Sequence, residues 1–104
     1  MNYSPRRADH RLGLTVRCDV RQGCEPWGKI VLMDLSRTGF RMSWSPRFKP
    51  DTKLWIRIPG LQPLSATIRW QNQSGVGCEF TSPLYEPVFE HFARLAANEQ
   101  RHSA

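Results

Sequence analysis

Two clusters in this 104-residue chain gather residue types suited to a charged, planar ligand. Arg6, Arg7 and Arg11 stand near its start, and Asp34-Leu35-Ser36-Arg37-Thr38-Gly39 follows a strand-like stretch. Guanidinium forks match phosphate oxygens and the O6/N7 edge of guanine. A carboxylate accepts two hydrogen bonds side by side, which suits the adjacent N1–H and N2–H2 donors of the same base. Asp34 and Ser36 also suit a turn, where their side chains bond nearby backbone N–H groups. Gly39 supplies positive φ or close approach of a ligand to the backbone. Together the clusters describe a site for a guanine-containing phosphate ligand.

Little else in the chain competes with that chemistry. His10, His91 and His102 lack a ligand spacing such as H-E-x-x-H. No Ser/His/Asp set, paired acid and base, or metal cluster is visible, so no catalysis, metal or cofactor is expected. Cys18, Cys24 and Cys78 are odd in number and lack C-x-x-C spacing, which argues against a disulfide framework and a structural zinc. Cys18 and Cys78 fall on apolar phases, where cysteine acts as a small hydrophobe. Cys24 falls in a turn. Arg37 and Arg41, close to the second cluster, read as solvated.

The elements that must position these residues are short. Residues 1–11 are polar, contain Pro5 and have no hydrophobic period, so they read as a mobile arm. From Leu12 the order changes: Leu12, Leu14, Val16, Cys18 and Val20 alternate with polar or small residues, the period of a strand with one buried face. A second strand runs from about Trp27 to Leu35. Phe40, Met42 and Trp44 mark a third, Leu54, Ile56 and Ile58 a fourth, Leu64, Ala66, Ile68 and Trp70 a fifth, and Val76, Cys78 and Phe80 a sixth. On this reading Trp44 and Trp70 are core, and Trp55 faces outward, covered by a helix or the arm or, as the alternative, marking a partner surface. The period then changes to three and four in Val88, Phe89, Phe92, Leu95 and Ala96. Pro87 suits the first turn of that helix.

Six short strands with frequent turns and no helices between them predict an all-β fold, an antiparallel barrel whose closure removes exposed edges, with one C-terminal helix. The expected layout is an arm over 1–11, barrel plus helix over 12–98, and a polar tail over 99–104. Ile30-Val31-Leu32-Met33 is too short to span a bilayer, and the start leads into no apolar signal region, so a cytoplasmic protein without membrane insertion is expected. The net charge of +6 favours anionic partners and is concentrated in the first fifth of the chain.

With these elements in place the chain resembles the PilZ domain, a bacterial receptor module for cyclic di-GMP. Arg7 and Arg11 match its R-x-x-x-R arm, with Arg6 giving the frequent double arginine. Asp34, Ser36 and Gly39 match its [D/N]-x-S-x-x-G motif. Ile68-Arg69-Trp70 and Gly75-Val76-Gly77-Cys78-Glu79-Phe80 continue the likeness. The resemblance implies that the arginines contact phosphates and guanine, that Asp34 and Ser36 recognise the base, and that the arm reorders around the ligand. With no output domain fused, the signal would pass to a separate, unidentified protein, from a monomer or weak dimer. Two rivals remain. One is a PilZ-like interaction module without nucleotide. The other is a small basic barrel for single-stranded nucleic acid, disfavoured because most aromatics fall on buried phases and a nucleic-acid groove needs them outside.

Overall fold

The computed structural model describes residues 12–102, with side chains through Leu95. Six strands precede one helix: β1 (Leu12–Arg21), β2 (Gly28–Leu35), β3 (Gly39–Met42), β4 (Lys53–Arg57), β5 (Leu64–Asn72), β6 (Gly75–Phe80) and α1 (Glu86–His102). The strands close into a barrel in the order β1-β2-β3-β6-β5-β4, and every neighbouring pair is antiparallel. The expected fold class holds. Its cause is the alternation: Cys18, Val20, Ile30, Leu32, Leu54, Ile56, Ala66, Ile68, Val76 and Cys78 all turn inward and form one core.

Two interruptions of that alternation decide what lies outside. Along β2 and β3, Leu32 pairs with Met42 but Asp34 pairs with Arg41, so Met33 is an extra residue, a β-bulge. Strict alternation from Ile30 and Leu32 would have sent Asp34 into the barrel. The bulge turns Asp34 outward and Leu35 inward, where it is fully buried. Along β5 and β6, Ile68 pairs with Cys78 and Trp70 with Gly77, leaving Arg69 as the extra residue.

The second bulge corrects one expectation. Trp70 is not core: it lies on the outer surface, 43% exposed, and Gln71 takes the inward phase opposite Val76. Trp44 is also outside, 48% exposed, because β3 stops at Met42. There the Ser43 N–H bonds the Val31 carbonyl (2.9 Å) and its Oγ accepts from the Val31 N–H (3.0 Å). These bonds continue the pairing for one residue without extending the strand. Phe48, from the loop after β3, and Leu84, before α1, are buried in the core.

The helix begins at Glu86, with Pro87 in its first turn as expected, and the acidic side chain suits the positive end of the helix dipole. Phe89 and Phe92 are buried in the barrel core and Val88 packs against it. Leu95, expected on the same apolar face, is exposed, so the face outruns the surface it covers. The helix continues through residues 99–102, the first part of the expected tail. Among the described residues, no helix is long and apolar enough to cross a membrane.

Candidate ligand-binding site

Asp34 stands on the outer surface where three strands meet in register. Gly13 of β1 lies opposite it on one side and Arg41 of β3 on the other. Arg41 Nε donates to Asp34 Oδ2 at 2.6 Å, and Arg41 Nη1 donates to the Ser74 carbonyl at 2.8 Å. Arg41 was expected to be solvated; instead it is tied at both ends, between the Asp34 carboxylate and the β5–β6 turn. Its pairing fixes one carboxylate oxygen. The other, Oδ1, faces Gly13, where even an added methyl group would stand 3.9 Å away, so among the described residues the approach to it over β1 is low and open.

The row continues past Arg41. Arg41 pairs with Gly77 of β6, and Gly77 with Trp70 of β5. The indole lies directly over Gly77, so closely that a Cβ there would collide with the ring. Gly77 therefore has the residue type that leaves room for the indole, which stays 43% exposed. Carboxylate, guanidinium and indole thus line one outer row across β2, β3, β6 and β5, a span of about 14 Å at the usual strand spacing. These are the groups that pair with base edges and stack on base faces. Arg41 and Trp70 were missed as site residues for one reason: both depend on bulges and register, which a sequence does not display.

Behind Asp34 the chain makes a tight turn whose bonds converge on one hydroxyl. Ser36 is 5% exposed. Its Oγ accepts from the Gly39 N–H (3.1 Å) and the Thr38 N–H (3.2 Å), and lies 3.3 Å from the Gly39 carbonyl, to which it donates. The Ser36 N–H bonds the same carbonyl at 2.9 Å. Gly39 does not have positive φ, unlike Gly23, Gly60 and Gly75. It is glycine because a Cβ would strike the Cys78 carbonyl oxygen. The expected positive φ is replaced by close approach of two backbones.

The turn is anchored from outside as well. Arg37, expected to be solvated, donates from Nε to the Leu84 carbonyl at 2.9 Å, and the Leu84 N–H returns a bond to the Arg37 carbonyl at 2.7 Å. The Phe80 N–H bonds the Thr38 carbonyl at 2.8 Å. The segment entering α1 therefore clamps the turn that carries Asp34.

Of the sequence-selected residues, Asp34, Ser36 and Gly39 are brought together here. Arg6, Arg7 and Arg11 lie outside the described residues. Cys18 and Cys78 are buried and Cys24 exposed, as expected. Burial pushes the Cys78 thiol up to about 12; burial, and then the nearby Asp19 charge, do the same to Cys18. Both thiols are inert hydrophobes. Among the described residues, no group of His, Cys, Asp and Glu is placed to hold a metal ion. The expected ground for setting aside a nucleic-acid barrel does not hold: the phenylalanines Phe40, Phe48, Phe80, Phe89 and Phe92 are buried, but Trp44, Trp55, Trp70 and Tyr85 are exposed.

Compared with known families, the chain matches the model of the PilZ domain over residues 5–98. No curated protein matches it.

Proposed function

From the premise that the chain belongs to the PilZ domain family, we propose that it is a receptor for cyclic di-GMP that passes the signal to a separate protein. The observation that carries the reading is the outer row of Asp34, Arg41 and Trp70 behind an open approach over Gly13. Asp34, held by Arg41, accepts from guanine N1–H and N2–H2 side by side, one at the oxygen facing Gly13 and one at the second lone pair of the oxygen bound to Arg41. The exposed indole of Trp70 offers a stacking surface for a base. Ser36 and Gly39 serve the site through the turn; the Ser36 side chain is spent on backbone bonds, which favours a positioning role over direct contact with guanine.

The arm completes the site. Arg11 immediately precedes Leu12, which pairs with Leu35, so the chain enters the barrel beside Asp34. Arg7 is four residues further out, at most about 14 Å of extended chain. Arg6, Arg7 and Arg11 are thus within reach of a ligand resting on the row, where their guanidiniums take its phosphates and guanine O6/N7 edges. Ordering the arm around the ligand creates new surface for a partner.

Calorimetric titration with cyclic di-GMP, cyclic di-AMP and a single-stranded oligonucleotide tests the reading. Selective binding of cyclic di-GMP is expected. Adenine lacks the paired N1–H and N2–H2 donors and leaves the carboxylate short of partners, at roughly 1–3 kcal/mol each. Equal affinity for the two cyclic dinucleotides would remove Asp34 from base recognition. Steeply salt-dependent oligonucleotide binding without cyclic dinucleotide binding would favour the nucleic-acid barrel.

A further inference from the structure

We propose that the outer face formed by the C-terminal end of β1 with β4 is a docking surface for an acidic segment of a partner protein. Asp19 pairs in register with Lys29 on one side and Arg57 on the other, and Arg21 pairs with Trp55. All five point outward, since the intervening Val20, Ile30 and Ile56 are buried. Arg17 and Lys53 extend the same face. Trp55 is 47% exposed; among the described residues α1 leaves it uncovered, contrary to the expected cover by the helix, while the arm named as the other cover lies outside the described residues.

The cations of this face are held in place. Arg57 lies over the Trp27 ring at 4.1 Å from its centre and Arg21 at 5.7 Å. Asp19 bonds Lys29 at 3.2 Å and Arg57 at 3.4 Å, and these partners hold its carboxyl below the usual carboxylate range. Asp19 therefore works as an internal strut rather than as free negative charge. Arg57 donates from Nη2 to Asp19 and Arg21 from Nε to the Gly23 carbonyl at 3.2 Å; a guanidinium stacked on an indole keeps its remaining N–H groups at the ring's edge, where they donate to a carboxylate. Because the stack already restricts the side chain, less rotamer freedom is lost on binding. Trp and Arg are also the residue types that dominate binding energy at protein interfaces.

The excess of positive charge selects an acidic occupant, and the face leaves Trp55 alone for a base to stack on, whereas single-stranded nucleic acid is held by aromatics under successive bases. The Trp27 face that a base would use is already taken by Arg57. The surface is also separate from the ligand site. Gly13, beside Asp34, and Arg21 lie at opposite ends of β1, about 25 Å apart at the rise of a strand.

The test uses the full chain, labelled so that each tryptophan indole N–H is followed by NMR. The probes are a short peptide alternating Glu and Leu, its Gln-for-Glu counterpart, and oligothymidylate. The Glu peptide is expected to shift the Trp27 and Trp55 signals and to release at high salt. The double change Arg21→Glu with Arg57→Glu should weaken it tenfold or more while leaving cyclic di-GMP titration unchanged. Arg57→Gln, which keeps most of the packing on Trp27, gives the same direction should the double variant fail to fold. Equal binding of the Gln peptide, absence of any peptide binding, or oligothymidylate displacing it as the better ligand would overturn the proposal. So would concentration-dependent shifts of the same signals without peptide, which would make the occupant a second copy presenting its exposed Glu86 and Glu90.

Discussion

Asp34 and Ser36 stand two residues apart and do opposite work. Asp34 is half-buried on the outer surface with one oxygen committed to Arg41, whereas Ser36 is buried with its hydroxyl spent on the turn. Asp34→Asn should cost roughly 1 kcal/mol of stability or less, the scale of a partly exposed ion pair, and should abolish discrimination between cyclic di-GMP and cyclic di-AMP. Ser36→Ala strips an acceptor from two backbone N–H groups and should lower stability by roughly 1–3 kcal/mol, measured as a reduced urea midpoint at unchanged slope. The thiols give a pH prediction. Cys18 and Cys78 stay protonated in the fold to about pH 12, whereas in the unfolded chain they ionise near 8.5. The unfolded state therefore binds fewer protons between those values. The thiols' contribution to stability should be flat below about pH 8.5 and fall above it by about 1.4 kcal/mol per pH unit for each thiol. Urea titrations from pH 7 to pH 10.5 would show no such fall in a Cys18→Ala, Cys78→Ala variant. At pH 8 only Cys24 should react with a thiol reagent before unfolding.

At the scale of elements, the bulge at Arg69 decides which way the end of β5 faces. Deleting Arg69 restores strict alternation and drives Trp70 toward a filled core, so the variant should lose most of its stability or fail to fold. Arg69→Ala keeps the residue count and removes only an exposed pair with Glu79; its cost should stay within about 0.5 kcal/mol. Urea denaturation of the two variants separates backbone register from side-chain chemistry. The same bulge marks the limit of what was legible beforehand. Period-two order in β1, β4 and β6 sufficed to read the strands, their inward faces and barrel closure, because burial on one face imposes that order. Nothing in the letters Ile68-Arg69-Trp70 signals an extra residue, so Trp70 was assigned to the wrong face, and Arg41 could not be paired with Asp34 without the register that the Met33 bulge sets. Asp34, Ser36 and Gly39 were legible because their types and spacing form a local turn; Phe48 was not, because a loop residue fills a core only by tertiary contact.

For the molecule as a whole, the barrel closes where residues 19–21 of β1 meet residues 55–57 of β4, and Phe89 and Phe92 of α1 are buried in its core. Residues 1–11 precede the first alternating strand and carry few apolar groups. Deleting those residues should leave the circular dichroism of the barrel intact and remove Arg6, Arg7 and Arg11 together. Charge-assisted bonds contribute roughly 1.5–3 kcal/mol each, so losing two should weaken cyclic di-GMP by about two to four orders of magnitude. Binding at full affinity by the shortened protein would show that the arm is not the clamp. Phe92→Ala should act the other way, costing about 3–5 kcal/mol of stability without touching a proposed ligand contact. The exclusion of tryptophan from the core has an optical consequence. Trp44, Trp55 and Trp70 are exposed and Trp27 is only half-buried, so the native protein should already emit near the wavelength of indole in water. Unfolding should shift that spectrum little, making intrinsic fluorescence a poor gauge of folding. A purine settling on Trp70 should quench one emitter and an acidic chain on Trp55 another, so variants that each keep a single tryptophan would report the two binding events separately, as losses of intensity at nearly the same wavelength.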